Sequence, residues 1–148
     1  MRISLSLIAL LLFLPHSGSA VSAEPTHMVG LLTDQGAIDG CAWSASSKAM
    51  GHGLVFLAEY DDSKALMNID GSDTAFKLVS VHGSLKKVGD VLEKTFRSGG
   101  VLVKARYKAT RVCPKDSESC EVTNYAVTFD VSKGVQRQVV NATGDVGC

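Results

Sequence analysis

Apolar residues recur at every second position along much of this chain, and Leu54 to Val81 shows the pattern most compactly. Leu54, Phe56, Ala58 and Tyr60 fall on one face at period two, and Asp61, Asp62 and Ser63 then break the run. Ala65, Met67 and Ile69 follow, and Asp70-Gly71 is the dipeptide that favours a two-residue hairpin turn with positive φ. A third run, Thr74 to Val81, alternates through Phe76 and Leu78. Three strands joined by two tight turns make a meander, the smallest β unit with a face to bury.

The same period organises the rest of the chain. From Glu24 to Gln35 it is weak, with Met28, Val29, Leu31 and Leu32 as a short first strand framed by Pro25 and Asp34-Gln35-Gly36. In Ala37 to Ser47, Ile38, Cys41 and Trp43 carry the burial value. This stretch reads as a strand entering a loop through Met50-Gly51-His52-Gly53; a short Ala/Ser helix over Ala42 to Ala49 is the competing reading. Val81 to Gly89 reads as a polar connection, Asp90 to Phe96 alternates weakly, and Ser98-Gly99-Gly100 turns the chain. The clearest strand comes next: Val101, Val103, Ala105, Tyr107 and Ala109 point one way, and Lys104, Arg106, Lys108 and Thr110 the other. Its expected partner is Glu121 to Val131, with Tyr125, Val127, Phe129 and Val131 on one face. Ser132-Lys133-Gly134 reads as a three-residue bulged connection. A last strand, Val135 to Ala142, leads into the Gly-rich end. Seven to nine strands and no long helix predict an all-β fold, a small antiparallel barrel or sandwich.

Residues 1–23 change the picture by giving the chain an address. Arg2 supplies a positive start, Ile3 to Leu14 an apolar stretch, and Val21-Ser22-Ala23 the small-residue pattern of signal-peptidase cleavage. The apolar stretch is shorter than the roughly 20 residues a spanning helix needs. Cleavage after Ala23 is expected to leave one exported domain, residues 24–148, in the periplasm or secreted, without a membrane span. Removing Arg2 with the leader leaves 14 basic and 15 acidic residues. That balance offers no footprint for nucleic acid, which calls for a basic excess.

The cysteines are the strongest chemical statement. Cys41, Cys113, Cys120 and Cys148 form an even set in an exported chain, which points to two disulfides among three pairings. Cys113 and Cys120 close the polar loop between the two best strands, where antiparallel pairing sets them opposite each other. That leaves Cys41 with Cys148. The spacings contain no Cys-x-x-Cys and fit no zinc pattern.

No catalytic signature accompanies this framework, and no cofactor or metal is expected. His27, His52 and His82 stand alone in loop-like contexts. The acids at Asp61-Asp62 and Asp70-Gly71-Ser72-Asp73 lack the spacing of a calcium loop and read as turn chemistry. Two features bear on binding. Lys104, Arg106 and Lys108, with Arg111 nearby, make a basic stripe; it is either a solvated face guarding a sheet edge or a contact for an anionic partner. Trp43, two residues from Cys41, is either core or a ligand platform.

Gly40-Cys41 with Trp43, the Met67 to Gly71 hairpin (Met-Asn-Ile-Asp-Gly) and the terminal Gly147-Cys148 together carry a likeness. On these residues the chain resembles a group of small exported bacterial β-proteins without an assigned activity. The resemblance implies fold and export rather than chemistry. More loosely it is similar to the envelope inhibitors of c-type lysozyme, which are small, disulfide-containing β-barrels. Here Leu102 follows Ser98-Gly99, and Thr128 precedes Ser132-Lys133-Gly134, where those inhibitors carry tyrosines. The expectation is a non-enzymatic binding module for an envelope component, with Trp43, Lys104, Arg106 and Lys108 as candidate binding residues. An inhibitor of an envelope-directed hydrolase such as lysozyme is the runner-up. A small hydrolase using the loop carboxylates Asp61, Asp62, Asp70 and Asp73 is the alternative from another class.

Overall fold

The computed structural model describes residues 27–148 apart from 115, 116 and 118, so the expected leader, residues 1–23, lies outside them. The strands are β1 (Val29–Gly30), β2 (Ala42–Ser46), β3 (Leu54–Glu59), β4 (Ala65–Ile69), β5 (Ser72–Gly83), β6 (Val91–Ser98), β7 (Val101–Arg111), β8 (Val122–Lys133) and β9 (Gln136–Gly147). From β2 onward each strand pairs antiparallel with the next, and β9 returns to pair with β2. Eight strands therefore close into an up-and-down barrel, which pairs most of the edges that an open sheet must defend and leaves the first half of β9 with β8 as its one partner among the described residues. β1 lies outside this ring, paired with β4 through Val29–Ile69 and Gly30–Asn68.

The period-two pattern explains the closure. Along β7, Val101, Val103, Ala105, Tyr107 and Ala109 are buried, while Lys104, Arg106, Lys108 and Thr110 are exposed. Along β8, Tyr125, Val127, Phe129 and Val131 are buried in the same way. An eight-stranded barrel is just wide enough for side chains to fill it. Here Phe56 packs on Phe96 and Phe129, and Tyr107 on Tyr125, with ring centroids 4.9–5.5 Å apart.

β4 is buried on both faces, which a half-exposed strand would not be. Ala65, Met67 and Ile69 enter the barrel, whereas Leu66 packs outside it with Leu32, Ile38 and Leu57. The segment that covers this outer face is pinned by Asp73, whose carboxylate accepts the N–H groups of Thr33 and Asp34 at 2.9–3.0 Å. The Asn68 amide donates to it as well, at 3.0 Å. Partial burial alone would push Asp73 up, but these donors outweigh it and hold the carboxyl below its ordinary value.

Several expectations need correction. In the 42–49 stretch the expected strand is present and only the competing helix reading fails, with a single 3₁₀ turn at Lys48–Met50. Tyr60 is not on the inward face: β3 stops at Glu59, and Tyr60 is 60% exposed at the start of the turn. The polar connection after the meander begins later than expected, because β5 runs on to Gly83 opposite Leu92. The β8–β9 connection is a two-residue turn, Gly134-Val135, with Lys133 opposite Gln136 and Gly134 at φ 57°. Glycine at the first central position is what the type II′ turn demands. β9 continues five residues past Ala142, because Gly144 lacks the Cβ that would collide with the Ser44 carbonyl and so lets β9 pair closely with β2. What reads as a Gly-rich tail is the close approach of β9 to β2. The Asp70-Gly71 turn has both residues at positive φ, 50° and 84°, as the meander requires.

Candidate functional site

The barrel interior holds a charge. Leu92, Lys94 and Phe96 alternate inward on β6, and Lys94 is only 3% exposed. Its partner is Asp62 in the turn between β3 and β4, held at φ 62°. Nζ donates to both carboxylate oxygens, at 2.6 and 2.7 Å. The same ammonium lies 3.5 Å from the centre of the Trp43 ring, a cation–π contact. Trp43 in turn donates its Nε1–H to the Tyr60 carbonyl at 3.3 Å and packs against Tyr107 and Tyr125. The β3–β4 turn is thus held from inside twice, by Lys94 through Asp62 and by Trp43 through Tyr60.

Two tyrosines complete the cluster. The Tyr125 hydroxyl donates to the Ser44 carbonyl at 2.6 Å. The Tyr107 hydroxyl is buried with no hydrogen-bond partner among the described residues. Burial foremost pushes both phenols well above the ordinary tyrosine value. Burial likewise pushes Lys94 below its ordinary value, and the hydrogen bond and charge of Asp62 only partly restore it. Between that lowered value and the 10.5 of an unperturbed lysine, the unfolded chain holds the extra proton. The Lys94 contribution to stability therefore rises with pH across that window. Unfolding midpoints measured from about pH 8 to about pH 10 are expected to show the wild type gaining on Lys94→Met. A wild type that loses ground would reverse the sign.

The four loop acids do not converge. Asp61 is exposed and accepts the Ser63 N–H at 2.9 Å; Asp62 faces Lys94; Asp70 pairs with Lys133; Asp73 holds the 33–34 backbone. His27, His52 and His82 are exposed on separate segments. Among the described residues, no three His, Cys, Asp or Glu side chains could hold a metal ion together.

The outer face of β7 collects most of the residues expected to bind. Arg106 and Lys108 line a groove of about 520 Å³ whose other walls are the 46–49 segment, residues 126–128 and residues 141–143. Lys104 lies one step along the strand, in a smaller groove of about 380 Å³ shared with Arg106, Glu93 and Asp130. Arg106 reaches Glu93 at 3.3 Å, with both side chains more than half exposed. Such a pair is worth about 0–1 kcal/mol and leaves the guanidinium available. Arg137 foremost, with Lys104 adding its charge, holds the Asp130 carboxyl below its ordinary value. Lys108 makes no ion pair among the described residues. Trp43 stands apart from this face, inside the barrel. Sequence reasoning missed the hydroxyl and amide wall, which comes from three separate strands, and Lys94, which the Leu92-x-Lys94-x-Phe96 spacing could have placed inside.

Cys41 is bonded to Cys148 and Cys113 to Cys120, with no free cysteine among the described residues. The fold and these surfaces define a disulfide-stapled, eight-stranded up-and-down barrel with a packed, charged interior and a basic outer groove. Comparison with family models, with curated proteins and with solved structures finds no match to this chain.

Proposed function

We propose that this protein is an exported, non-enzymatic binding module that engages an anionic component of the cell envelope through the outer face of β7 to β9. The observation that carries the reading is the groove itself, where Arg106 and Lys108 stand over a wall of Ser46, Ser47, Thr128, Asn141 and Thr143. Cations beside a concave surface that mixes hydroxyl and amide groups with the apolar Ala49, Ala126, Val127 and Ala142 suit a ligand bearing negative charge, hydrogen-bonding groups and some apolar surface. Aromatic rings fill the barrel axis, which favours binding on the outside over a ligand within. Two disulfides suit an oxidising compartment.

Capture from an envelope extract tests the reading. Wild-type protein is expected to retain an anionic component, and Arg106→Glu with Lys108→Glu to retain at least about tenfold less. Capture should also weaken as salt rises toward about 0.5 M, because exposed charges are screened. Equal capture by the doubly reversed variant would remove the groove from the account.

A further inference from the structure

In one half of the barrel two strands separate β9 from β4: β2 pairs with β9 from Thr143 to Gly147, and β3 meets β4 at Leu57–Leu66 and Ala58–Ala65. In the other half β1 takes the place beside β4, at Asn68 and Ile69. The place beside β9 holds no strand among the described residues. Among the described residues, Gln136 to Ala142 pair with β8 and with nothing on their other side. A groove of about 550 Å³ lies there, between Val29–Leu31 and Gln138–Asn141, ending at Ala49 and Met50.

Both walls turn backbone groups into this lane. Lys133 and Gln136 flank a two-residue turn and so form its hydrogen-bonded pair, which leaves alternate residues of β9, including Val139 and Asn141, facing away from β8. On the opposite wall the Met28 carbonyl accepts the Asp70 N–H at 2.8 Å, so Val29 directs its own N–H away from β4. The Gln138 Oε1 accepts it at 2.9 Å. A side chain crosses the gap where a neighbouring strand would supply a carbonyl.

We infer that this lane accepts an extended segment of a partner protein as an added strand between β9 and β1. Backbone donors and acceptors repeating every second residue along β9, faced on the β1 wall by the Val29 N–H that an added strand would take over from the Gln138 side chain, match a polypeptide in the β conformation. The lining holds no Lys, Arg, Asp or Glu, and Val29, Leu31, Met50 and Val140 make it largely apolar. The segment is therefore uncharged where it enters, with apolar residues at alternate positions. Val139, 52% exposed beside the lane, would be partly covered by it. The site lies on the other side of the 3₁₀ turn from the basic groove and shares with it only Ser47, Ala49 and Asn141, so either can fail without the other.

Random decapeptides displayed on phage, panned against the disulfide-intact protein, test the assignment. Enriched peptides should alternate apolar residues, lack central proline, and protect the Val139 and Asn141 amides from hydrogen exchange. Their affinity should fall at least about tenfold for Val139→Pro, which removes a lane-facing donor while sparing the β8 ladder. It should fall equally for Met50→Arg, which places a charge in the groove; if Val139→Pro melts early, this second variant carries the test. No enrichment, or peptides that bind both variants as tightly as wild type, would overturn the proposal. A concentration-dependent dimer that Met50→Arg dissolves would assign the lane to a second copy of this chain, and so overturn the partner segment.

Discussion

Replacing Asp62 with alanine is expected to cost about 3–5 kcal/mol of stability, the usual penalty for removing one partner of a buried ion pair. Lys94 would keep its ammonium among Trp43 and Tyr107 with no carboxylate to receive it. It would have to lose its proton or draw water into the barrel. Lys94→Met is expected to cost less, because it removes the charge that needs compensating and Asp62 sits nearer solvent. The double variant Asp62→Ala with Lys94→Met should recover most of the loss, since an apolar replacement of a whole buried pair is often neutral or stabilising by about 1–4 kcal/mol. Urea midpoints for the three variants and wild type decide the matter. A double variant no more stable than Asp62→Ala would show that the turn is held by something other than this pair.

The second large effect concerns the seam of the barrel. Cys41 precedes β2 and Cys148 follows β9, and Ala42 is paired with Gly147 directly beside the bridge. The bond therefore fastens the two strands that close the ring. It also spans 107 residues, against 7 for Cys113–Cys120. Loop entropy alone assigns about 4.7 kcal/mol to a bridge of the longer kind and about 2.4 kcal/mol to the shorter. Cys148→Ser is accordingly expected to destabilise more than Cys120→Ser, measured by thermal or urea unfolding without reductant. The reverse order would mean that the seam closes without its bridge and that the 113–120 loop carries the constraint.

How much of this was legible in the sequence varied by element. β7 and β8 were plain, because one face of each meets the core and the other meets water, so alternation survives intact. The meander was plain for a different reason: Asp70-Gly71 is turn chemistry that acts locally. β4 obscured its own period because Leu66 is covered from outside by Leu32 and Ile38, contacts that come from distant sequence. β6 looked weak because Lys94 breaks the apolar face, and only the closed barrel supplies Asp62 to pair with it. Arg106 and Lys108 could be named from their strand. Their groove could not, since its far wall is built by β9 and the turn after β2.

The most direct test of the account is a two-dimensional amide NMR map of the isotope-labelled, disulfide-intact protein, titrated with the component captured from envelope extract. Shifts are expected to concentrate at the 46–49 segment, at Arg106 and Lys108, and along 126–128 and 141–143. The amides around Lys94, Tyr107 and Tyr125 should move little, because the interior is packed and its charge already paired. Perturbation centred on those interior residues, with the outer groove silent, would place the ligand inside the barrel and contradict the account.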